Sequence, residues 1–486
     1  MKRLITFLIL VFITTGISAQ EIKITGTVTD ANDGLALPGV NVMVKETING
    51  TSTDFDGHYA IKASKGQILV FSYIGMITQE VVISDQTTIN VSLESDDTAL
   101  EEIVVMGYAT KKVKSATGSV VADYAPAESR SSTKGERRRY EPQSGQLTAG
   151  EINDLEKWEE WLKVSNEDEA KRIKNNWGFL LQEKIEVYVT DENENPLPNA
   201  QVTIYNELNK LIMSTRTDVF GKTVLFKDSN GIKKTKYYRV QVTHNNQIKG
   251  KKITNGHKEL NFQLTNGKQD NSIDIMFTID ATGSMGDEIA YLKAELKNIM
   301  NRIDSSIDEK RVALTFYRDI NDEYVVRDFD FDTNINKVQK SLANQYAGGG
   351  GDYEEAVEVA LKNSMQQSWN KNAKARMLFL LLDAPPHLNQ ENVVTIKKQI
   401  ALAAEKGIKI IPVVASGADK NVEFLTRFFS IATNGTYVFL TDDSGIGNPH
   451  LKPTTDNYKV ERLNYLLVRL IQKYAGVKTD IQMASR

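Results

Sequence analysis

The chain of 486 residues contains no cysteine, which excludes thiol catalysis, disulfide bonds and cysteine-based zinc sites. Its net charge of −4 gives no reason to expect a nucleic-acid partner. No apolar run reaches the roughly 18 residues that indicate a transmembrane helix, so we expect no membrane-spanning segment in the mature chain. Histidine is scarce, and no two histidines have the spacing of a metal-binding or catalytic pair. The five are His58, His244, His257, His387 and His450.

The first 19 residues have the pattern of a secretory signal peptide. Lys2 and Arg3 are followed by an apolar run over residues 4–13, and small residues precede Gln20. We therefore expect the protein to be exported and to start near Gln20 when mature. The periplasm, the outer membrane and the cell surface are all compatible destinations.

An acidic, hydroxyl-rich turn follows an apolar strand at residues 273–279. The turn reads Asp280-Ala281-Thr282-Gly283-Ser284, and such hard oxygen ligands are typical of a divalent cation site. Two further segments lie downstream. One is a run of four glycines followed by Asp352, and the other is an apolar run followed by Asp383. We predict that these three loops converge on one ion.

Residues 271–475 resemble a von Willebrand factor type A domain, whose metal-ion-dependent adhesion site has the pattern Asp-x-Ser-x-Ser, then Thr, then Asp. Asp280, Thr282 and Ser284 match the first loop, with Thr in place of the first Ser, and Asp383 matches the last Asp. Asp352 stands where the family has its middle Thr. The resemblance implies that these five residues bind a divalent cation, with Mg²⁺ favoured over Mn²⁺ or Ca²⁺. It also implies a protein partner at the ion.

A third carboxylate, Asp352, would leave the occupied site at about minus one, whereas two carboxylates would leave it neutral. We expect tighter metal retention as a result, and weaker capture of a partner's carboxylate. Asp352 also has a structural interpretation, because with Glu355 it forms a capping-box pattern for a helix that begins at Tyr353. Both roles are compatible. His387 lies near the site in sequence, and a surface-loop position is its simpler interpretation.

Residues 20–95 show short β-rich runs separated by turn residues, which indicates a small antiparallel β-sandwich. Through residues 26–30, 37–40 and 53–59 this segment resembles the carboxypeptidase-regulatory-like domain. The continuation looks like the TonB-box region that follows this domain in TonB-dependent outer-membrane receptors. In such receptors the box binds an energy-coupling protein by strand addition. Residues 101–108 therefore either bind a TonB-like protein or are a remnant.

Three further segments separate this sandwich from the metal motifs. Residues 96–150, which contain the TonB-box-like segment, are predicted to be a flexible linker. Residues 151–182 have the apolar spacing of a helix pair, with three tryptophans docked on a neighbour. Residues 183–266 are predicted to form a second sandwich, because four landmarks of the first recur 160 to 164 residues later. We expect both sandwiches to be spacers.

Residues 271–475 alternate between strand and helix patterns, and residues 476–486 form a tail. This alternation predicts a mostly parallel, doubly wound (Rossmann-like) α/β sheet covered by helices on both faces. In such sheets ligands bind at the carboxyl ends of strands, where Asp280 and Asp383 fall. The predicted fold class is thus a multidomain chain with two sandwiches and a C-terminal α/β domain.

Metal-dependent binding of a protein partner at the cell envelope, in adhesion or assembly, is the favoured function. The alternative is an accessory component of a TonB-linked transport assembly. A metal-assisted hydrolase comes third, because the glycine run lacks the Lys-Ser/Thr of a phosphate-binding loop and no nucleophile has a histidine base. We therefore expect no enzymatic activity. An ion that only clamps the three loops is a further possibility.

Overall fold

The computed structural model describes residues 21–94 and 147–477, apart from short interruptions. The chain divides into two compact units, Met1–Glu141 and Pro142–Arg486. The predicted signal peptide, residues 101–108 and most of the predicted linker lie outside the described residues. Every helix in the described residues falls short of the length and apolarity that a membrane crossing needs. The interruptions are residues 32–33, 38–39, 46, 48, 55, 74–75, 85, 230–234, 266, 268–269, 304–305, 442–451 and 456–457.

The first unit contains a small β-sandwich. Its described strands are β1 (Glu21–Asp30), β2 (Asn41–Val44), β3 (Gly50–Ser52), β4 (His58–Ser64), β5 (Ile68–Ser72), β6 (Gln79–Val82) and β7 (Val91–Leu93). They form two sheets with strand orders β4-β1-β7 and β3-β2-β5-β6. Side chains alternate between core and solvent, as along β4, where Tyr59, Ile61 and Ala63 are buried. Pairing is antiparallel except between β1 and β7, which run parallel.

The second unit begins with a strand and two helices. These are β8 (Thr148–Ile152), α1 (Trp158–Val164) and α2 (Asp168–Trp177). The two helices lie within residues 151–182, where the sequence predicts a helix pair, and the three tryptophans of this segment are buried. A second sandwich follows, with strands β9 (Lys184–Thr190), β10 (Gln201–Asn206), β11 (Leu211–Arg216), β12 (Lys222–Phe226), β13 (Tyr238–His244), β14 (Gln247–Ile253) and β15 (Glu259–Gln263). Its sheets, β12-β9-β15 and β11-β10-β13-β14, have the same strand order as the first sandwich.

The internal repeat extends to individual hydrogen bonds. The Thr53 hydroxyl donates to a backbone carbonyl at 2.6 Å, and the Thr217 hydroxyl donates to the equivalent carbonyl at 2.7 Å. Gly57 and Gly221 have φ values of 72° and 68°. A Cβ atom on either glycine would come within 2.5 Å or 2.3 Å of a backbone carbonyl oxygen, so no other residue fits these turns. The predicted duplication of one sandwich is thereby confirmed.

A large α/β sheet forms the rest of the second unit. Its strands are β16 (Asp270–Asp280), β17 (Glu309–Tyr317), β18 (Val326–Asp332), β19 (Ala373–Leu382), β20 (Ile408–Val414), β21 (Tyr437–Thr441) and β22 (Val460–Arg462). Its helices are α3 (Gly286–Arg302), α4 (Ile335–Ala343), α5 (Val357–Gln366), α6 (Gln390–Lys406), α7 (Lys420–Ala432) and α8 (Leu463–Ala475). The strand order is β18-β17-β16-β19-β20-β21-β8-β22. Parallel pairing joins the central strands from β17 to β21, which confirms the mostly parallel sheet.

Helices cover both faces of this sheet, as the doubly wound pattern predicts. Ile275, Phe277 and Ile279 of β16 belong to the core shared with α3, α4 and α8, whereas Met276 belongs to the core shared with α5, α6 and α7. Both faces of the central strands are therefore buried, which explains their nearly continuous apolar sequence.

The strand β8 differs from the sequence-based expectation, since most of it falls within the predicted linker. It pairs antiparallel with β21 on one side and with β22 on the other. The Thr148 and Thr441 hydroxyls are hydrogen-bonded at 2.8 Å, and Leu147 and Ala149 are buried. Short, small residues give little β-strand signal, so this strand is specified by the sheet edge that it covers.

The second sandwich packs directly on the α/β domain and shares a core with it. Trp161 of α1 makes an edge contact with Phe428 of α7 at 5.2 Å between ring centroids, and Phe179 stacks on the same ring at 5.7 Å. The Asn434 side chain accepts a hydrogen bond from the Val224 amide at 2.6 Å and donates to the Val224 carbonyl at 3.2 Å. This copy is therefore not the free-standing spacer that the sequence suggested.

Candidate metal centre

The carboxyl end of β16 places Asp280 at the bottom of a buried turn. Its side chain is fully buried, and its Oδ1 accepts hydrogen bonds from the Thr282 amide at 2.9 Å and the Thr282 hydroxyl at 2.7 Å. Oδ2 is buried and forms no hydrogen bond with the described residues. Burial, and then the charge of Asp383, raises the pKa of Asp280 to about 7. One oxygen of this carboxylate is therefore fixed, and the other is available.

The other predicted loops reach the same place from β19 and from the start of α3. The Ser284 hydroxyl lies 3.4 Å from the Thr282 hydroxyl and interacts with the Asp383 carboxylate. Asp383 is buried, and burial raises the pKa of its carboxyl. Ser284 itself is exposed to solvent. Asp280, Thr282, Ser284 and Asp383 thus meet at one sheet edge, in a site that opens through Ser284.

Two further carboxylates that sequence reasoning did not assign to the site lie against this group. Glu355 is only 3% exposed, and burial, followed by the charges of Asp280, Asp319, Asp322 and Asp383, raises its pKa to about 9. Burial raises the pKa of Glu288 to about 7, with a contribution from Asp383. Glu288 shows no sequence signal beyond its place in the first turn of α3.

The run of four glycines contacts the carboxylate of Asp322. Gly349 and Gly350 have φ values of 83° and 84°, and the Gly350 amide donates to Asp322 Oδ2 at 2.9 Å. A Cβ on Gly349 would lie 2.3 Å from the Asp322 carboxylate, so glycine is required there. Arg318 donates to the carbonyls of Ala281 and Tyr346 at 3.1 Å and 3.0 Å. These bonds tie the glycine loop to the Asp280 turn.

Asp352 has a different environment from the other predicted ligands. Its side chain is 59% exposed, and its Oδ2 lies 3.4 Å from Nε2 of His387. A helix cap at Asp352 is wrong: the helix begins at Val357 and its N-cap is Ala356, because Glu355 folds into the site instead of reaching back to the turn. The role of Asp352 as a ligand stays a prediction.

The site is suited to a divalent cation because its negative charges are otherwise uncompensated. Asp280, Glu288, Glu355 and Asp383 are all buried, and none forms a salt bridge within the described parts of the chain. One carboxylate oxygen on each of Asp280, Glu288 and Glu355 is buried without a hydrogen bond. Unpaired buried charge is strongly unfavourable, and hard oxygen ligands of this kind favour Mg²⁺, Mn²⁺ or Ca²⁺. Asp280, Ser284 and Asp383, with Glu355 beside them, would hold such an ion.

The raised pKa values predict how pH affects the metal-free protein. In the unfolded chain Asp280 and Glu355 titrate near their usual 3.8 and 4.5, and in the fold near 7 and 9. Protonation of these two carboxyls therefore stabilises the metal-free fold fully below about pH 4, and this stabilisation is lost as pH rises to about 9. A bound cation displaces these protons. As pH rises, the difference in free energy of unfolding between the metal-bound and the metal-free protein should therefore grow by about 1.4 kcal/mol per pH unit for each proton displaced. Melting curves with Mg²⁺ or chelator, from pH 5 to 9, measure this difference. A difference that is constant with pH would contradict the prediction.

Glu355 and Asp352 are the two candidates for a third carboxylate, and substitution separates them. We expect Glu355→Gln to weaken Mg²⁺ binding by about tenfold or more, because its buried carboxylate adjoins Asp280 and Asp383. Asp352→Asn should change Mg²⁺ affinity by less than about threefold, because its exposed side chain contacts His387 instead. Calorimetric titration of both full-length variants with Mg²⁺ measures this ratio. The reverse order would establish Asp352 as the ligand that the sequence predicts.

Comparisons with known proteins identify two domains in the chain. The family described as von Willebrand factor type A domain matches residues 274–449, and the family described as CarboxypepD_reg-like domain matches residues 24–105. Von Willebrand factor type A domains are typically interaction modules without catalytic activity, and they commonly bind a divalent metal at the adhesion site. Both predicted resemblances are confirmed, as is the multidomain fold class.

The N-terminal region is similar to TonB-dependent receptors. A TonB-dependent receptor of Formosa agariphila is 47% identical over 117 residues, which is 24% of this chain and 12% of the receptor. TonB-dependent receptor SusC of Bacteroides thetaiotaomicron is 42% identical over 112 residues, or 23% of this chain and 11% of its own length. Among solved structures, the Bacillus anthracis TIE protein aligns with 50% of this chain and 34% of its own at 14% identity, with a TM-score of 0.15, which supports no argument.

Proposed function

We propose that this chain, which carries a CarboxypepD_reg-like domain ahead of a von Willebrand factor type A domain, is an exported cell-envelope protein that binds a protein partner through a divalent cation. The observation that carries the proposal is the group of buried carboxylates at the carboxyl ends of β16 and β19, in which Asp280, Glu288 and Glu355 each have an oxygen without a hydrogen bond among the described residues. A catalytic acid or base could use one such group. A cluster that also includes the Thr282 and Ser284 hydroxyls is better suited to hold an ion.

The geometry supports binding at the ion by a macromolecule. Ser284 and the neighbouring Gly283 are exposed, so a ligand atom from another protein can approach the ion from solvent. Tyr353 is half-exposed at the same edge, and its hydroxyl accepts from the Asp419 amide at 3.1 Å and donates to the Asp383 carbonyl at 3.4 Å. The rim around the ion is therefore built from ordered polar groups, which is the usual composition of an interface rim.

Capture of envelope proteins on the immobilised full chain tests this function. We expect specific proteins to be retained in Mg²⁺ and released by chelator, and we expect Asp280→Asn to retain none of them. The matched control is Asp287→Asn, which makes the same change at an exposed position in the first turn of α3. Identical capture by the Asp280 variant, or capture that persists in chelator, would contradict a metal-dependent interaction.

A second function is favoured by the N-terminal similarity to TonB-dependent receptors, which includes the CarboxypepD_reg-like match up to residue 105. The chain spans only about an eighth of the length of those relatives. In this alternative, residues 101–108 bind a TonB-like energy-coupling protein by strand addition. Capture of that protein should persist in chelator and disappear when residues 101–108 are deleted. A deletion variant that still captures it would exclude this role.

A further inference from the structure

A second group of potential metal ligands lies at the same edge of the sheet. One ligand atom from each of Asp319, Asp352 and His387 lies within 4.8 Å of the others. Nε2 of His387 is 3.4 Å from Asp352 Oδ2, and Nδ1 is 3.8 Å from Asp319 Oδ1. Asp319 follows β17, Asp352 follows the glycine loop and His387 follows β19. The imidazole therefore lies between two carboxylates that come from different loops.

Buried atoms without hydrogen bonds provide an independent indication of a ligand. Asp319 is only 6% exposed, and its Oδ1 has no hydrogen bond among the described residues. The facing Nδ1 of His387 has none either, and the 3.8 Å between the two atoms is too long for a hydrogen bond. Glu358, nearby and buried, also has an unpartnered Oε2, and it interacts electrostatically with both His387 and Asp319. A cation between Asp319 Oδ1 and His387 Nδ1 would satisfy both of these atoms, with Asp352 within reach as a third ligand.

We propose that Asp319, Asp352 and His387 bind a second divalent cation, of the class represented by Zn²⁺. Imidazole nitrogen is a favourable ligand for Zn²⁺ and neighbouring transition metals, whereas Mg²⁺ prefers oxygen ligands alone. One histidine with two carboxylates supplies three protein ligands of types that Zn²⁺ accepts, and it leaves a fourth position open, as in zinc sites that keep a bound water. The Asp280 group has only oxygen ligands, so the two sites differ in their ion preference. The second ion would also tether the glycine loop to the ends of β17 and β19.

Calorimetric titration of the full chain with Zn²⁺, in the presence of excess Mg²⁺, tests this site. Excess Mg²⁺ fills the oxygen-only site, so the Zn²⁺ signal reports on the histidine-containing one. We expect one Zn²⁺ to bind the wild-type chain. His387→Ala should weaken this binding by at least about tenfold, and Asp352→Asn should weaken it by a similar factor. The Asp352 side chain is exposed, so Asp352→Asn should leave the fold intact. If the His387 variant is misfolded, the Zn²⁺ affinity of the Asp352 variant tests the proposal.

Two control variants make the outcome specific. His257→Ala removes an exposed histidine that contacts Thr254, and it should bind Zn²⁺ like the wild type. Asp280→Asn should also keep Zn²⁺ binding although it loses Mg²⁺, so this site and the proposed adhesion site can fail independently. Absence of Zn²⁺ binding by the wild type, or unchanged binding by the His387 and Asp352 variants, would overturn the proposal.

Discussion

Replacing Asp280 with asparagine should abolish Mg²⁺ binding and, at the same time, stabilise the metal-free protein at pH 8. The carboxylate is fully buried and its pKa is raised to about 7, so at pH 8 the metal-free fold holds a desolvated negative charge beside Asp383. Asparagine keeps the oxygen that accepts from Thr282 and removes the charge. We expect Mg²⁺ affinity to fall on the order of 100-fold or more.

Calorimetry with Mg²⁺ and thermal melts at pH 8 measure the two effects separately. The wild-type chain should melt at a higher temperature in Mg²⁺ than in chelator, because an ion that binds only the folded state stabilises it. The Asp280→Asn variant should show one melting temperature in both conditions, above that of the metal-free wild type. Asp287→Asn, at an exposed position, should behave like the wild type. An Asp280 variant that melts lower without metal, or still responds to Mg²⁺, would disprove the assignment.

Replacing Arg427 with alanine should lower the free energy of unfolding of the second unit by about 3–5 kcal/mol. The buried guanidinium donates to both oxygens of Asp154 at 3.0 Å and 2.6 Å and to Glu423 Oε1 at 2.9 Å. It also lies 4.8 Å from the ring centroid of Trp161. Its removal would leave the buried Asp154 carboxylate without its salt-bridge partner, whereas Glu423 would keep its pairing with Lys420. Burial already raises the pKa of Asp154. The loss should therefore far exceed that of a surface pair.

Denaturant unfolding followed by tryptophan fluorescence isolates this effect, because all four tryptophans belong to the second unit. Lys337→Ala is the matched control: its side chain is 73% exposed in a salt bridge with Asp332. That substitution should cost less than about 1 kcal/mol. If the two variants lost similar stability, the buried network would not be the contact that fixes the segment between β8 and α1 to α7.

Much of the fold could be predicted from the sequence, because the spacing of apolar residues along a segment shows which of its faces is buried. The apolar strand predicted at residues 273–279 lies within β16, and the predicted alternation of strands and helices gives the observed mostly parallel sheet. Segments whose structure depends on partners distant in sequence were missed. Most of the strand β8 lies in the predicted linker, and the three-residue strand β22 pairs with β8. Neither has a strand pattern of its own.

The candidate site could be predicted only where a motif marked it. Asp280, Thr282, Ser284 and Asp383 come together as expected, because each follows or begins an element with a clear pattern. The sequence predicts Glu355 to be a capping residue, because its spacing from Asp352 fits a capping box. Spacing alone does not show that the loop turns Glu355 into the site. Asp319 directly follows Arg318 at the carboxyl end of β17, and the rule that ligands gather at such ends would have indicated it.

The position of β8 has a consequence for how the α/β domain is produced in isolation. A fragment that starts at residue 271, close to the family boundary, would lack β8 and Asp154. The edge of β21 would then be unpaired, Arg427 would lose its main partner, and the aromatic surface of α7 would be exposed to water. Such a fragment should aggregate by edge-to-edge association. The shortest self-sufficient fragment therefore begins before residue 147 and includes the second sandwich.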